Sequence, residues 1–392
     1  MSARLIRVRV GPRSGNELKI VWMSEEFEFR PYHIDLDRLN RSAESVRSKL
    51  TRLVTQARGS GASRTGLELK ALAVAGNALY EELFSPSDGN DDIARKVQQW
   101  IGGYSGRLRI HFTVEDRIYV PWGLIYGASP AELPDDFAGV GIASYEEFWC
   151  LKHLVSTMYF RIQPSLASGR IDGRAFQILP VFNNDVLQRM LGNLTDEEQA
   201  LLHKYFFETS PVFTKEQLVK RWNSLADKHG MLYFLCHANG TSLELATDDL
   251  ITMDELRRQL KRRNPQDEEP VRIVFLNGCS TAVGHPAGAF LEAMATPGLI
   301  GFLGTETKVP DLFAMRFGLD LVRRLLSSGD SLLDVMDSMR RLHWPLSLLY
   351  SMYCYPLLKL ISDSSGSGVT PPAENFCNLQ LGTADLHTKT HQ

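Results

Sequence analysis

From Ala175 to Leu303 the chain repeats one rhythm, a short unbroken apolar run followed by a longer stretch with helical spacing. The runs are Phe176 to Val181, Met231 to Cys236, Ile273 to Leu276 and Leu299 to Leu303. Helical spacing covers Asp185 to His203, Lys215 to Lys228 and Met253 to Arg262, and Phe206 to Glu208 reads as one more short strand. Runs without polar alternation are buried on both faces. Parallel neighbours need a crossover of a dozen residues or more, which these helices supply. The rhythm therefore predicts an α/β fold with a mainly parallel sheet flanked by helices.

The first half is mixed. Leu5 to Val10 and Leu18 to Met23 alternate like an antiparallel pair, and Asp37 to Val54 and Leu67 to Phe84 carry helical spacing. Leu108 to Phe112 with Arg117 to Val120 reads as a hairpin, and Gly59 to Gly66 as a flexible interruption. A Ser/Gly connector near Ser165 to Gly173 divides the chain into units 1–165 and 174–361. Residues 362–392 lose the rhythm and are expected to be a mobile, disordered tail.

Composition enters through what it excludes. The 392 residues are 44% hydrophobic and 23% charged with a formal charge of -3, so no global basic field is present for nucleic acid. The five cysteines form no CxxC pair, which argues against a disulfide framework or a cysteine-rich zinc site and fits a reducing cytoplasm. The N-terminus reads as a strand rather than an export signal. Leu346 to Ile361 is broken by Pro356 and Lys359 and is too short to span a membrane. The P-loop, G-x-G-x-x-G, G-x-S-x-G and H-E-x-x-H patterns are missing, so serine-hydrolase, nucleotide-binding and common zinc-peptidase readings lose their usual support, and the cysteine chemistry read below needs no metal or organic cofactor.

In parallel sheets, reactive groups gather at the carboxyl ends of the strands, where loops sit over a rigid backbone. Two ends carry chemistry here. Met231 to Cys236 runs into His237 and Ala238, and Arg272 to Leu276 runs into Asn277, Gly278 and Cys279. A thiol becomes a nucleophile beside a base, and its tetrahedral intermediate needs N–H donors. His237 would be the base, Cys279 the nucleophile, and the backbone at Ala238 and Cys279 the oxyanion hole. Strand alternation turns Cys236 away from His237 and into the core. His285 is the fallback base, and pairing of Cys279 with His285 or His343 would favour an amidase-type cysteine hydrolase.

The His-x-x-Gly strand end followed by Asn277-Gly-Cys-Ser resembles the caspase-like clan of cysteine peptidases, and more closely its mostly bacterial CHAT family. Asn77 to Phe84 and the Val120 to Tyr126 segment, with its Pro121-Trp122, are similar to that family's N-terminal motifs. Leu303 to Thr307, the helix from Asp311 and Tyr353 to Leu360 follow its closing order. The likeness covers about residues 1–361. It implies a degenerate, pseudo-caspase-like N-terminal subdomain before a catalytic one. It also implies endopeptidase action on a partner protein in bacterial stress or antiviral defence, where members occur beside gasdermin-like pore-forming substrates and await an activating protein or signal. The sequence departs from the pattern at Ala238, where glycine is usual, and at Gly123, where glutamate is. A binding scaffold without catalysis is the remaining alternative.

The pocket walls would be Asn183 to Asp185, Asn277 with Gly278, and Gly304 to Lys308. Asp185, Asn277 and Glu306 are the candidate lining residues. With no arginine in these loops to clamp a carboxylate, aspartate before the scissile bond is not expected to be preferred.

Overall fold

A computed structural model describes residues 4–12, 15–26, 28–59, 62–115, 118–134, 141–159, 170–173, 176–224, 230–238, 242–260, 272–278, 299–354 and 358–361. The strands are β1 (Arg4–Pro12), β2 (Glu17–Met23), β3 (Tyr32–Asp35), β4 (Leu108–Val114), β5 (Leu154–Tyr159), β6 (Arg170–Asp172), β7 (Gln177–Phe182) and β8 (Gly230–Leu235). They continue with β9 (His237–Ala238), β10 (Ser242–Ala246), β11 (Asp249–Thr252), β12 (Arg272–Leu276), β13 (Leu299–Thr305), β14 (Tyr350–Cys354) and β15 (Lys359–Ile361). Ten of them form one sheet in the order β3-β2-β1-β4-β5-β14-β13-β12-β8-β7. Within it the pairs are parallel except β3 with β2, β2 with β1, and β14 with β13.

The β14–β13 reversal makes two parallel blocks that run in opposite senses. In the second block, chain order and spatial order agree: β7, β8, β12 and β13 are laid side by side. Their carboxyl ends therefore share one edge of the sheet, and helices cover its faces. Strands β8 and β7 show continuous burial after their first residue, as unbroken apolar runs require. The helix Asp311–Ser327 packs so closely on β8 that a Cβ at Gly318 would fall 2.1 Å from the Tyr233 hydroxyl oxygen.

The two halves share this sheet. β5 meets β14 through Thr157 and Tyr353. Arg107 makes a bidentate pair with Asp337 at 2.6 and 2.7 Å, and Arg109 reaches Asp334 at 3.2 Å. Arg47, on the helix Leu36–Gly59, meets Glu306 just past β13 at 2.9 Å, both side chains being buried.

Several expectations are corrected. β4 pairs with β1 and β5 in parallel, and Ile118 to Val120 form no strand, so the hairpin does not exist. The residues Phe206 and Phe207 lie in a π-helical turn, His203–Phe207, rather than a strand. The long helix expected from Asp185 is two helices, Asn184–Leu191 and Asp196–Leu202, the second started by a Thr195/Glu198 capping box. The helix Ala62–Leu83 runs through most of the glycine segment expected to be flexible. The tail at 362–392 lies outside the described residues. No helix among the described residues is long and apolar enough to cross a membrane.

Candidate active site

β8 ends at Leu235, and Cys236 is buried in the core at 4% exposure. The chain then forms the two-residue β9, in which His237 pairs with Glu244 and Ala238 with Leu243. This small β11-β10-β9 sheet fixes the backbone under His237, whose side chain is half-buried. Asn183 locks the neighbouring strand end. Its backbone N–H donates to Leu235 O at 2.9 Å, its Oδ1 caps the helix Asn184–Leu191 at Val186, and its Nδ2 donates to Glu244 O at 3.1 Å.

That helix carries Arg189 to the site. Its Nη2 lies 3.2 Å from Nε2 of His237 and 3.6 Å from a carboxylate oxygen of Asp311. Loop composition does not reveal Arg189, because it sits on the second turn of the helix rather than in the strand-end loop. Its spacing of four from Asp185 was the available signal, placing both on one helix face.

On the adjacent strand, β12, Leu276 is registered opposite Phe234 of β8, and the Asn277 N–H donates to Phe234 O at 2.9 Å. Gly278 then rests on the backbone just before His237: an added Cβ would lie 2.6 Å from Cys236 O and 3.7 Å from the Ala238 Cβ. Any side chain is excluded there, which is why glycine closes this strand end. The buried Thr305 hydroxyl donates to the Gly278 carbonyl. Cys279 itself, as nucleophile and as oxyanion donor, lies outside the described residues, as does His285.

Two of the three pocket candidates turn out to be framework. Asn277 is 1% exposed, with Nδ2 donating to the Tyr233 hydroxyl at 2.9 Å and Ala314 O at 2.6 Å, while Oδ1 accepts from the Tyr350 hydroxyl at 2.7 Å. Its amide ties β8, β14 and the helix Asp311–Ser327 together, and both of its N–H donors are committed. Glu306 is neither solvated nor pocket-facing. It is 1% exposed, accepting from Arg47 and from the Tyr353 hydroxyl at 3.3 Å. Asp185 is exposed in the first turn of its helix, and the cap belongs to Asn183. His343 is bound to Asp320 at 2.9 Å, so its ring is engaged away from the strand ends. Among the described residues, no group of three His, Cys, Asp or Glu side chains could hold a metal ion.

No protein-family model and no curated protein matches this sequence. Solved structures do match it. The chain superposes on Saccharomyces cerevisiae separase, from its complex with securin, with a TM-score of 0.51, 10% identity and 92% of this chain covered, and it spans 30% of that chain. The fold is caspase-like. At this identity the likeness is one of fold alone. A second match, to RgpB of Porphyromonas gingivalis in its complex of pro- and mature domains, has a TM-score of 0.39 at 11% identity and covers 84% of this chain and 79% of that one.

Proposed function

We propose that the chain is a cysteine endopeptidase in which His237 is the base and Cys279 the nucleophile. The observation that carries this reading is the packing of Gly278 against the backbone of residues 236–238. Cys279 follows Gly278 directly, and consecutive Cα atoms are ~3.8 Å apart, so a thiol belongs within short reach of the imidazole. The caspase-like fold supports the same class of chemistry. In the reaction, His237 takes the thiol proton and the sulfur attacks the scissile carbonyl. The oxyanion is held by the N–H groups of Ala238 and Cys279, the amine leaves with the proton from His237, and water then hydrolyses the thioester.

Thr305 supports the oxyanion assignment. In a planar trans peptide the C=O and the following N–H point in opposite directions. The Gly278 carbonyl is anchored to Thr305, and in this reading that bond would steady the peptide on which the Cys279 donor depends. The motif resemblance adds the finer reading: a CHAT-like, cytoplasmic enzyme of bacterial defence, cutting a protein partner such as a gasdermin-like pore-former after an activating signal. The units 1–165 and 174–361 would then be pseudo-peptidase and peptidase subdomains of one sheet.

A thiol-reactive peptide probe tests the reading. Labelling should fall on Cys279 and disappear in His237→Ala, with Cys279→Ala and His237→Ala each abolishing cleavage and the double variant no worse than either. Labelling of Cys279 unchanged in His237→Ala would remove His237 as base. A folded protein that cleaves nothing and resists the probe even with its activator would favour the binding scaffold.

A further inference from the structure

Arg340, in the last turn of the helix Leu332–Leu342, is 3% exposed, yet its Nε and Nη1 have no hydrogen-bond acceptor among the described residues. Among the described residues, none of the ion pairs involves it. The nearby carboxylates of its own helix serve other arginines, Asp337 pairing with Arg107 and Asp334 with Arg109. A guanidinium stays charged throughout the physiological range, and a buried charge without a partner is costly. The indole N–H of Trp122, also buried, lacks an acceptor as well.

Both residues line one small cavity at the seam of the two halves. Gly123, Cys150 and Thr157 contribute from the first half, and Tyr350 and Ser351 from the second. Burial pushes the Cys150 thiol pKa up, so the sulfur does not supply the missing negative charge. The cavity measures about 20 Å³, room for one water-sized species. Donors beside a positive charge favour an acceptor that carries negative charge, and a space of this size suits a monatomic ion better than a tetrahedral oxyanion.

We propose that Arg340, with the indole N–H of Trp122, binds a small monatomic anion of the chloride type in this cavity. The anion neutralises the buried guanidinium and joins the helix Leu332–Leu342 to the Trp122–Leu124 turn. Its binding is independent of the peptidase chemistry.

Thermal unfolding of the full chain tests this when sodium chloride replaces sodium gluconate at constant ionic strength. The midpoint should rise saturably by roughly 2 °C. Arg340→Met should abolish the rise. Gly123→Asp supplies a tethered carboxylate instead; its Cβ would sit 3.1 Å from the Cys150 Cβ, a fit needing a shift of a few tenths of an ångström. That variant should be insensitive to chloride and as stable in gluconate as the parent is in chloride. No difference between the salts in the parent protein would overturn the proposal, leaving bound water as the partner of Arg340. A chloride response retained in Arg340→Met or in Gly123→Asp would equally overturn it. Should Arg340→Met fail to fold, the parent and Gly123→Asp decide.

Discussion

Arg189 holds a guanidinium nitrogen 3.2 Å from Nε2 of His237. Arginine nitrogens only donate, so Nε2 accepts, and the neutral ring carries its proton on Nδ1. The single lone pair of the proposed base is thereby occupied, and Arg189 must move before His237 can take a proton. Arg189→Ala should speed alkylation of Cys279 by iodoacetamide, read by mass spectrometry, by up to about fivefold, the equivalent of one hydrogen bond of about 1 kcal/mol. A slower reaction would make Arg189 a positioning residue. Because this cation stands at the strand ends, the expectation against acidic substrates, built on loops without arginine, loses its premise.

Gly278→Ala should damage the site more than the fold. The added methyl would meet the Cys236 carbonyl oxygen, a backbone atom that cannot swing aside. A loss of about 1–3 kcal/mol in urea unfolding is expected from overpacking, with cleavage falling about 100-fold because the strand end shifts against its base. Activity near the parent level would show that the two strand ends need not touch.

The Arg47–Glu306 pair should prove costly to break singly. Each charge is buried, and removing one partner strands the other, so Glu306→Gln or Arg47→Met should cost about 3–5 kcal/mol. The double variant should cost less than the sum of the two, by a coupling of about 0.5–3 kcal/mol, in a urea double-mutant cycle. Because the pair joins the two halves, a fragment starting at Ile171 should aggregate, having lost both Arg47 and the β5 partner of β14.

Two buried histidines should make the fold acid-sensitive. Burial, helped by Arg7, lowers His111 from 6.5 to about 4, and burial with Lys152 and Arg107 lowers His153 from 6.5 to about 3. Below pH 6.5 the unfolded chain binds protons that the folded chain refuses, so stability is full above 6.5 and falls as the pH drops towards those values. The slope should approach about 1.4 kcal/mol per pH unit for each histidine. Unfolding midpoints against pH should flatten in His111→Gln and His153→Gln; an unchanged slope in both would assign the acid limb to carboxylates.

Elements whose causes are local are legible in the amino-acid order alone. Unbroken apolar runs at 176–181, 231–236, 273–276 and 299–303 could only be strands buried on both faces, and β7, β8, β12 and β13 lie there. Their intervening crossovers required parallel order, which brought the end of β8 beside the end of β12 and made His237 and Gly278 legible as neighbours. Pairing across long chain distances was decided only by the tertiary structure. Nearness in sequence favours a local hairpin for β4, because nearby segments most often pair, yet it joins β1 and β5, and β5 meets β14 from the far end of the chain. The same holds for polar strand-end residues. Asn277 and Glu306 look alike in sequence to pocket residues, because a buried polar group is distinguished only by its partners. Those partners, Tyr233, Tyr350, Arg47 and Tyr353, arrive from other elements when the sheet closes. Local spacing specifies which side chains sit at a strand end, but whether each faces the cleft or the core depends on what packs against it.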